Sequence, residues 1–187
     1  MTDSVALWID EVHRYNKRLH LASPGMLCRM EEEAQRCMDL LEDVHEGMMV
    51  DLGSGSGLPA IPYKIMHPDA YLYMMERSEK RCAFLRHVID LLGLERIEVM
   101  EDDPVRQPAR RFDAIMTRAF SPRAELEGIL KGILNPGGRF YYMGTNVSQG
   151  FCAEFFTKTT HRSTRGLYLE TFEFRPGELG PGEIRPR

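Results

Sequence analysis

Residues 51 to 59 read Asp-Leu-Gly-Ser-Gly-Ser-Gly-Leu-Pro, directly behind the apolar run Met48-Met49-Val50. A strand that ends in an acid and runs into alternating glycines turns sharply, and a ligand then approaches the backbone with no Cβ atoms in between. Gly53, Gly55 and Gly57, with Asp51, Ser54 and Leu58 around them, suit a flat or charged ligand. One common loop chemistry is weakened and another fails. The dinucleotide fingerprint needs glycine at its first, third and sixth positions, and counting from Gly53 the sixth residue is Leu58. A phosphate-cradling loop closes on Gly-Lys-Ser/Thr, and no such closure follows Gly57.

Further polar residues fall where strands should end. In an open parallel sheet, ligands bind outside the carboxyl ends of the strands, where the strand order reverses. Asp51 closes the first expected strand, Glu76 the second, Glu101-Asp102-Asp103 the third and Thr117-Arg118-Ala119 the fourth. Glu76 lies about 20 residues beyond Gly57, the spacing at which a carboxylate accepts hydrogen bonds from both ribose hydroxyls of a nucleoside cofactor. Asp102 or Asp103 is placed to accept from an adenine amino group, and spacing leaves open which one. Arg118 follows a buried strand directly, beside the expected site of reaction. Each feature has a plainer reading: a tight turn, a surface carboxylate, a solvated acidic cluster. Their convergence at successive strand ends favours a nucleoside site.

These residues need a scaffold, and the chain's periodicity supplies one. Val5, Trp8, Ile9, Val12, Tyr15 and Leu19 recur at helical spacing, with Asp10, Glu11, Arg14 and Lys17 opposite, so an amphipathic first helix is expected as a lid or flank. Ser23-Pro24-Gly25 interrupts it, and Met26 to about Leu41 reads as one second helix. From Met48 the pattern alternates strand and helix. Strands are expected near 48–52, 71–75, 97–100, 112–117 and 138–143, and helices near 58–66, 78–92 and 122–134. Asn135-Pro136-Gly137-Gly138 reads as a stop and turn, with a strand buried on both faces behind it. A final helix and one or two antiparallel strands are expected up to about Phe174. The predicted class is α/β: a Rossmann-like, mostly parallel sheet with helices on both faces. It forms one domain over 1–187, divided into an N-terminal helical extension (1–46), the core (47–175) and a loose tail (176–187).

Bulk properties limit the partners. The net charge of −4 among 187 residues argues against gripping nucleic acid by overall field, so any such contact depends on where the arginines sit. The four cysteines form no Cys-x-x-Cys pair and the six histidines no ligand spacing, so no metal is expected and reduced thiols in the cytoplasm are. No apolar run approaches membrane-spanning length, and no membrane contact is expected.

The acidic-x-Gly-x-Gly-x-Gly turn resembles the S-adenosylmethionine loop of class I methyltransferases. More narrowly, residues 15 to 145 resemble the RsmG/GidB family of 16S ribosomal RNA guanine-N7 methyltransferases. The matching pieces are Asn16-Lys17 with Leu19 to Ser23, Asp51 to Pro59 with Ile61-Pro62, and Pro68-Asp69. Further along come Ser78 with Lys80-Arg81, Phe84-Leu85-Arg86, Phe112-Asp113, Arg118-Ala119-Phe120 and Pro136 to Arg139. The chain departs from the family pattern at Ala83, where a basic residue is common, at Gln35 to Leu40, at Met143-Gly144-Thr145, and at Glu76, where aspartate is usual.

The resemblance implies methyl transfer from S-adenosylmethionine to guanine N7, with 16S ribosomal RNA or the small ribosomal subunit as partner and the protein acting as a monomer. It implies cofactor contacts from Asp51, Gly53, Ser54, Gly55, Gly57, Leu58, Glu76, Arg77, Asp102, Asp103 and Arg118, with Arg118 also serving the chemistry. Arg77, Lys80 and Arg81 are expected to share one helix face, and Lys80, Arg81, Arg86 and Arg123 to meet RNA. The alternatives are a small-molecule, protein or other RNA acceptor, or a nucleoside-binding scaffold without catalysis.

Overall fold

The computed structural model describes residues 3–103, 110–118, 123–145 and 155–176, without the side chains of Arg123 and Ala124. Its element order is α1 (Asp3–Leu19), α2 (Pro24–Leu27), α3 (Met30–Leu41), β1 (Met48–Leu52), α4 (Ala60–Met66), β2 (Tyr71–Glu76), α5 (Glu79–Leu92) and β3 (Ile97–Glu101). Then follow β4 (Phe112–Arg118), α6 (Arg123–Ile133), β5 (Leu134–Gly144), β6 (Phe156–Thr164) and β7 (Leu167–Phe174). All seven strands form one sheet in the order β3-β2-β1-β4-β5-β7-β6. β1 to β5 run parallel, while β7 lies antiparallel between β5 and the edge strand β6. The order reverses between β1 and β4, and a crevice is expected at that point.

Alternation along the strands sorts side chains into two apolar layers. Met49, Leu72, Met74 and Met116 point to one face, where Trp8, Ala34, Ile61 and Leu85 of four different helices cover them. Val50, Leu52, Met75 and Ile115 point to the other, against Leu126, Leu130 and Ile133 of α6. Helices thus lie on both faces, and the N-terminal helices share a core with the sheet.

Two local expectations are corrected. The single helix over 26–41 is two helices, because Arg29 leaves helical geometry (φ −122°, ψ 17°) after Ser23 and Pro24 have started α2. Glu31, Glu32 and Glu33 then fill the first turn of α3, where the helix dipole favours acids. The turn at 135–138 does not precede β5 but bulges within it: pairing with β4 jumps from Phe112–Leu134 to Ala114–Arg139.

Asp113 organises this bulge. Its carboxylate accepts from the Asn135 side-chain amide and from Met48 N, both at 2.8 Å. A Cβ on Gly47 would fall 2.3 Å from that carboxylate, and one on Gly138 2.9 Å from the Asp113 carbonyl. Arg139 pairs with Glu46 at 2.7 Å. Phe112-Asp113 and Pro136 to Arg139 therefore build the amino-terminal end of the sheet, opposite the crevice. The expected final helix before β6 and the loose tail from 177 onward lie outside the described residues.

Candidate functional site

β1 delivers Asp51 to the reversal point, and the chain then folds through three left-handed glycines: Gly53 (φ 74°), Gly55 (φ 51°) and Gly57 (φ 90°). Gly53 N and Ser54 N both donate to Met75 O, at 2.9 and 3.2 Å, which ties the turn to the end of β2. Only glycine holds such angles three times without strain. Gly55 and Gly57 differ in their surroundings. Among the described residues and beyond its chain neighbours, a Cβ at Gly55 would have only Gly53 O within 4 Å, at 3.7 Å, whereas one at Gly57 would lie 2.6 Å from Ile61 Cγ1.

A cleft of about 290 Å³ opens on the turn, lined by Gly53, Gly55, Leu58, Arg81 and Arg118 and by the Leu21–Ser23 segment and Met26. The segment is held by Asn16, whose amide donates to Ala22 O at 3.0 Å and accepts from Ala22 N at 2.8 Å. The first helix also braces the turn from behind. Fully buried Trp8 donates its indole N–H to Ser56 O at 2.8 Å. Glu11 and His87 Nε2, 2.6 Å apart, fasten α1 to α5.

Asp51 is 1% exposed, and among the described residues its Oδ2 has no hydrogen-bond partner. Burial pushes its carboxyl up to about 7; a hydrogen bond from Ser54 opposes the rise and the Glu76 carboxylate adds to it. Ser54 is buried and its hydroxyl donates to Asp51 O at 3.1 Å. Glu76 is buried at the end of β2, accepting from Gly55 N and Ser78 N, both at 3.0 Å. Its carboxylate grips the turn from the β2 side and does not line the cleft.

The remaining candidates scatter. Asp102 accepts from Asp103 N at 2.8 Å, so it shapes its own loop, and neither acid lines the cleft. Arg77 precedes α5 rather than lying on it, so the expected helix face shared with Lys80 and Arg81 does not form. Lys80 is exposed. Arg81 instead turns to the end of α1, donating to His20 O at 3.0 Å and, more weakly, to Leu19 O at 3.4 Å. Arg86 faces Glu101 at 3.6 Å. The Arg123 side chain and the Ala119-Phe120 part of the fourth strand end lie outside the described residues.

Arg118 lines the cleft, with its side chain only 8% exposed. It donates to the buried carboxylate of Glu33, and its nitrogens lie 3.9 Å from Met26 Sδ and Cys37 Sγ. Sequence reasoning missed Glu33, Trp8 and Asn16 as parts of this site. Glu33 stands in a run of three glutamates that reads as a solvated helix start, and its partner is 85 residues away.

The sheet order, with one antiparallel strand inserted beside its edge, and the cleft at the β1/β4 reversal define the class I methyltransferase fold. Solved structures agree. One is a mutant of MtNAS in complex with S-adenosylmethionine, with TM-score 0.68 and 17% identity, covering 92% of this chain and 75% of that one. Another is an rRNA methylase from Streptococcus thermophilus, with TM-score 0.52 and 18% identity, covering 74% of this chain and 93% of that one. The family model for rRNA small subunit methyltransferase G matches residues 1–168, and the chain belongs to that family.

Curated relatives carrying the same description include one from Frankia alni, 39% identical over 114 residues, or 58% of this chain and 44% of the relative. One from Cellvibrio japonicus is 31% identical over 152 residues, or 76% of this chain and 68% of the relative. The match thus spans less than half of the Frankia protein and about two thirds of the Cellvibrio one. Among the described residues no group of three or more His, Cys, Asp or Glu side chains is arranged to hold a metal, and no helix is long and apolar enough to cross a membrane.

Proposed function

We propose that the protein transfers a methyl group from S-adenosylmethionine to N7 of a guanine in 16S ribosomal RNA. The observation that carries this reading is the cleft that places the glycine turn and Arg118 side by side at the sheet's reversal point. The chain's own residues fit the cofactor. The unpartnered buried oxygen of Asp51 suits a ligand that brings positive charge, and the open space over Gly55 is room that any side chain would fill. Gly53 and Gly55 would hold the cofactor beside Arg118, whereas Glu76 would meet the ribose hydroxyls and Asp102 or Asp103 the adenine amino group only by turning from their present contacts toward a cleft that they do not line. When bound, the cofactor supplies an electrophilic methyl on a sulfonium.

The protein's contribution is then alignment. Guanine N7 carries a free lone pair, so no proton has to leave before attack and no general base is required. Holding two reactants in line supplies up to about 7–11 kcal/mol in favourable cases. Arg118, kept out of bulk water, would hydrogen-bond the guanine O6 edge and leave N7 free. Lys80 is available for RNA phosphates; Arg81 and Arg86 reach them only by giving up part of their present contacts. The working unit is a cytoplasmic monomer with a single catalytic domain.

The test is transfer of labelled methyl to small ribosomal subunits that lack the modification, with 7-methylguanine identified by mass spectrometry. Cofactor binding without incorporation into ribosomal RNA refutes the acceptor. Absence of cofactor binding refutes the enzyme.

A further inference from the structure

The side chains that line the cleft include two cations, Arg81 and Arg118, and among the described residues no carboxylate. S-adenosylmethionine is itself cationic, carrying a sulfonium and an ammonium against one carboxylate. A cleft with that lining should repel it. Besides Asp51 at the foot of the turn, a carboxylate that offsets the repulsion comes from α3, in the N-terminal extension. Glu33 is 5% exposed and its Oε2 accepts from Arg118 Nη2, while Arg36 Nη1 and Arg29 Nε approach its other oxygen at 3.4 and 3.9 Å. A carboxylate buried this deeply needs charged partners, and three guanidinium groups supply them.

We infer that Glu33 is the positioning residue that orients Arg118 and cancels its charge, so that the cleft admits a cationic cofactor. The inference rests on the methyltransferase reading. It also assigns the N-terminal extension a chemical role: α3 contributes an anion without touching the ligand. Methyl transfer to N7 moves the positive charge from the cofactor's sulfur to the base, so one net positive charge stays in the cleft from substrate to product. A neutral Arg118–Glu33 pair suits both states. An unpaired Arg118 would disfavour both.

The charge difference between cofactor and by-product isolates this role from mere packing. S-adenosylmethionine and S-adenosylhomocysteine share every recognition group, but only the first has the sulfonium. Glu33→Gln keeps the size and an acceptor oxygen while removing the charge. A unit charge about 10 Å from the ligand, in an effective dielectric of about 20, changes affinity roughly tenfold. Calorimetry on the full chain should therefore show affinity for S-adenosylmethionine falling about tenfold in Glu33→Gln, with that for S-adenosylhomocysteine nearly unchanged. Glu33→Asp, which retains the charge, should keep the wild-type ratio.

Arg118→Gln should move the ratio the other way, because the cleft then loses a cation while Glu33 keeps its negative charge. That variant tests the same charge balance if Glu33→Gln does not fold. A ratio that stays at the wild-type value in the folded variants, with both affinities falling together, overturns the role of Glu33 and leaves the methyltransferase reading standing. A wild-type protein that binds neither compound defeats the methyltransferase reading itself.

Discussion

Adding one methyl group at Gly55 and at Gly57 should produce opposite failures. Gly57 has φ 90°, and its added Cβ would sit 2.6 Å from Ile61 Cγ1, with Leu85 Cδ2 and Trp8 Nε1 both at 3.4 Å. Carbon atoms pack best at about 3.5–4.0 Å, so buried Ile61 would have to retreat by about 1 Å into a filled core. Overpacking of that kind costs about 1–3 kcal/mol, and a left-handed non-glycine residue about 1–2 more. Gly57→Ala should therefore lose about 2–5 kcal/mol, or roughly 4–20 °C in Tm for a chain of this size. At Gly55 only the backbone penalty applies, since among the described residues the nearest non-neighbouring atom is 3.7 Å from the new Cβ.

Gly55→Ala should thus melt within about 2–8 °C of wild type yet lose S-adenosylhomocysteine affinity by tenfold or more, because the methyl fills the ligand's space. Thermal melts followed by circular dichroism, with calorimetry on the same samples, read both quantities. Equal destabilisation with ligand affinity intact in Gly55→Ala would refute the placement of the ligand on this turn.

Trp8→Phe removes the donor to buried Ser56 O and should cost about 1–3 kcal/mol in urea unfolding; a loss under a few tenths would mean that α1 does not brace the turn. Asp51 has its carboxyl raised from 3.8 to about 7, so the native state keeps a proton that the unfolded chain has released over that interval. Stability from this group is fully present below 3.8 and lost as pH rises through about 7, and Asp51→Asn should flatten that part of the urea midpoint against pH profile. A cationic ligand favours the charged form, so wild-type affinity for S-adenosylmethionine should tighten as pH rises through about 7; a flat profile would remove Asp51 from the site. Lys80→Ala should lower the slope of log RNA affinity against log salt by about one while sparing S-adenosylhomocysteine binding, and an unchanged slope places Lys80 off the RNA path.

Features governed by the backbone were legible in the sequence. The turn after Asp51 needs glycines for geometric reasons, and Glu76 and Arg118 end their strands because apolar runs stop there. What alternation and spacing do not reveal is pairing across the fold. Glu33 has the composition of a surface acid and becomes a buried partner only when α3 crosses the end of β4. Phe112-Asp113 and the Pro-Gly-Gly-Arg run carry a family signature, yet their chemistry is architectural: Asp113 fixes the β5 bulge and the entry to β1. The grouping of Arg77, Lys80 and Arg81 failed because β2 runs on to Glu76 and the helix starts only at Glu79, so one of the three is not on it.

Contacts that join α1 to the rest of the molecule span long stretches of chain: 48 residues from Trp8 to Ser56, 62 from Leu19 to Arg81 and 76 from Glu11 to His87. α1 packs against α3, α4 and α5, so its seat is complete only once α5 is in place. Such distant contacts are slow to close, which makes seating of this helix a late step in maturation. Pulse-labelled hydrogen exchange during refolding should find the backbone around Ser56 protected after β1 and β2, so that competence to bind a nucleoside arrives only when α1 has come home.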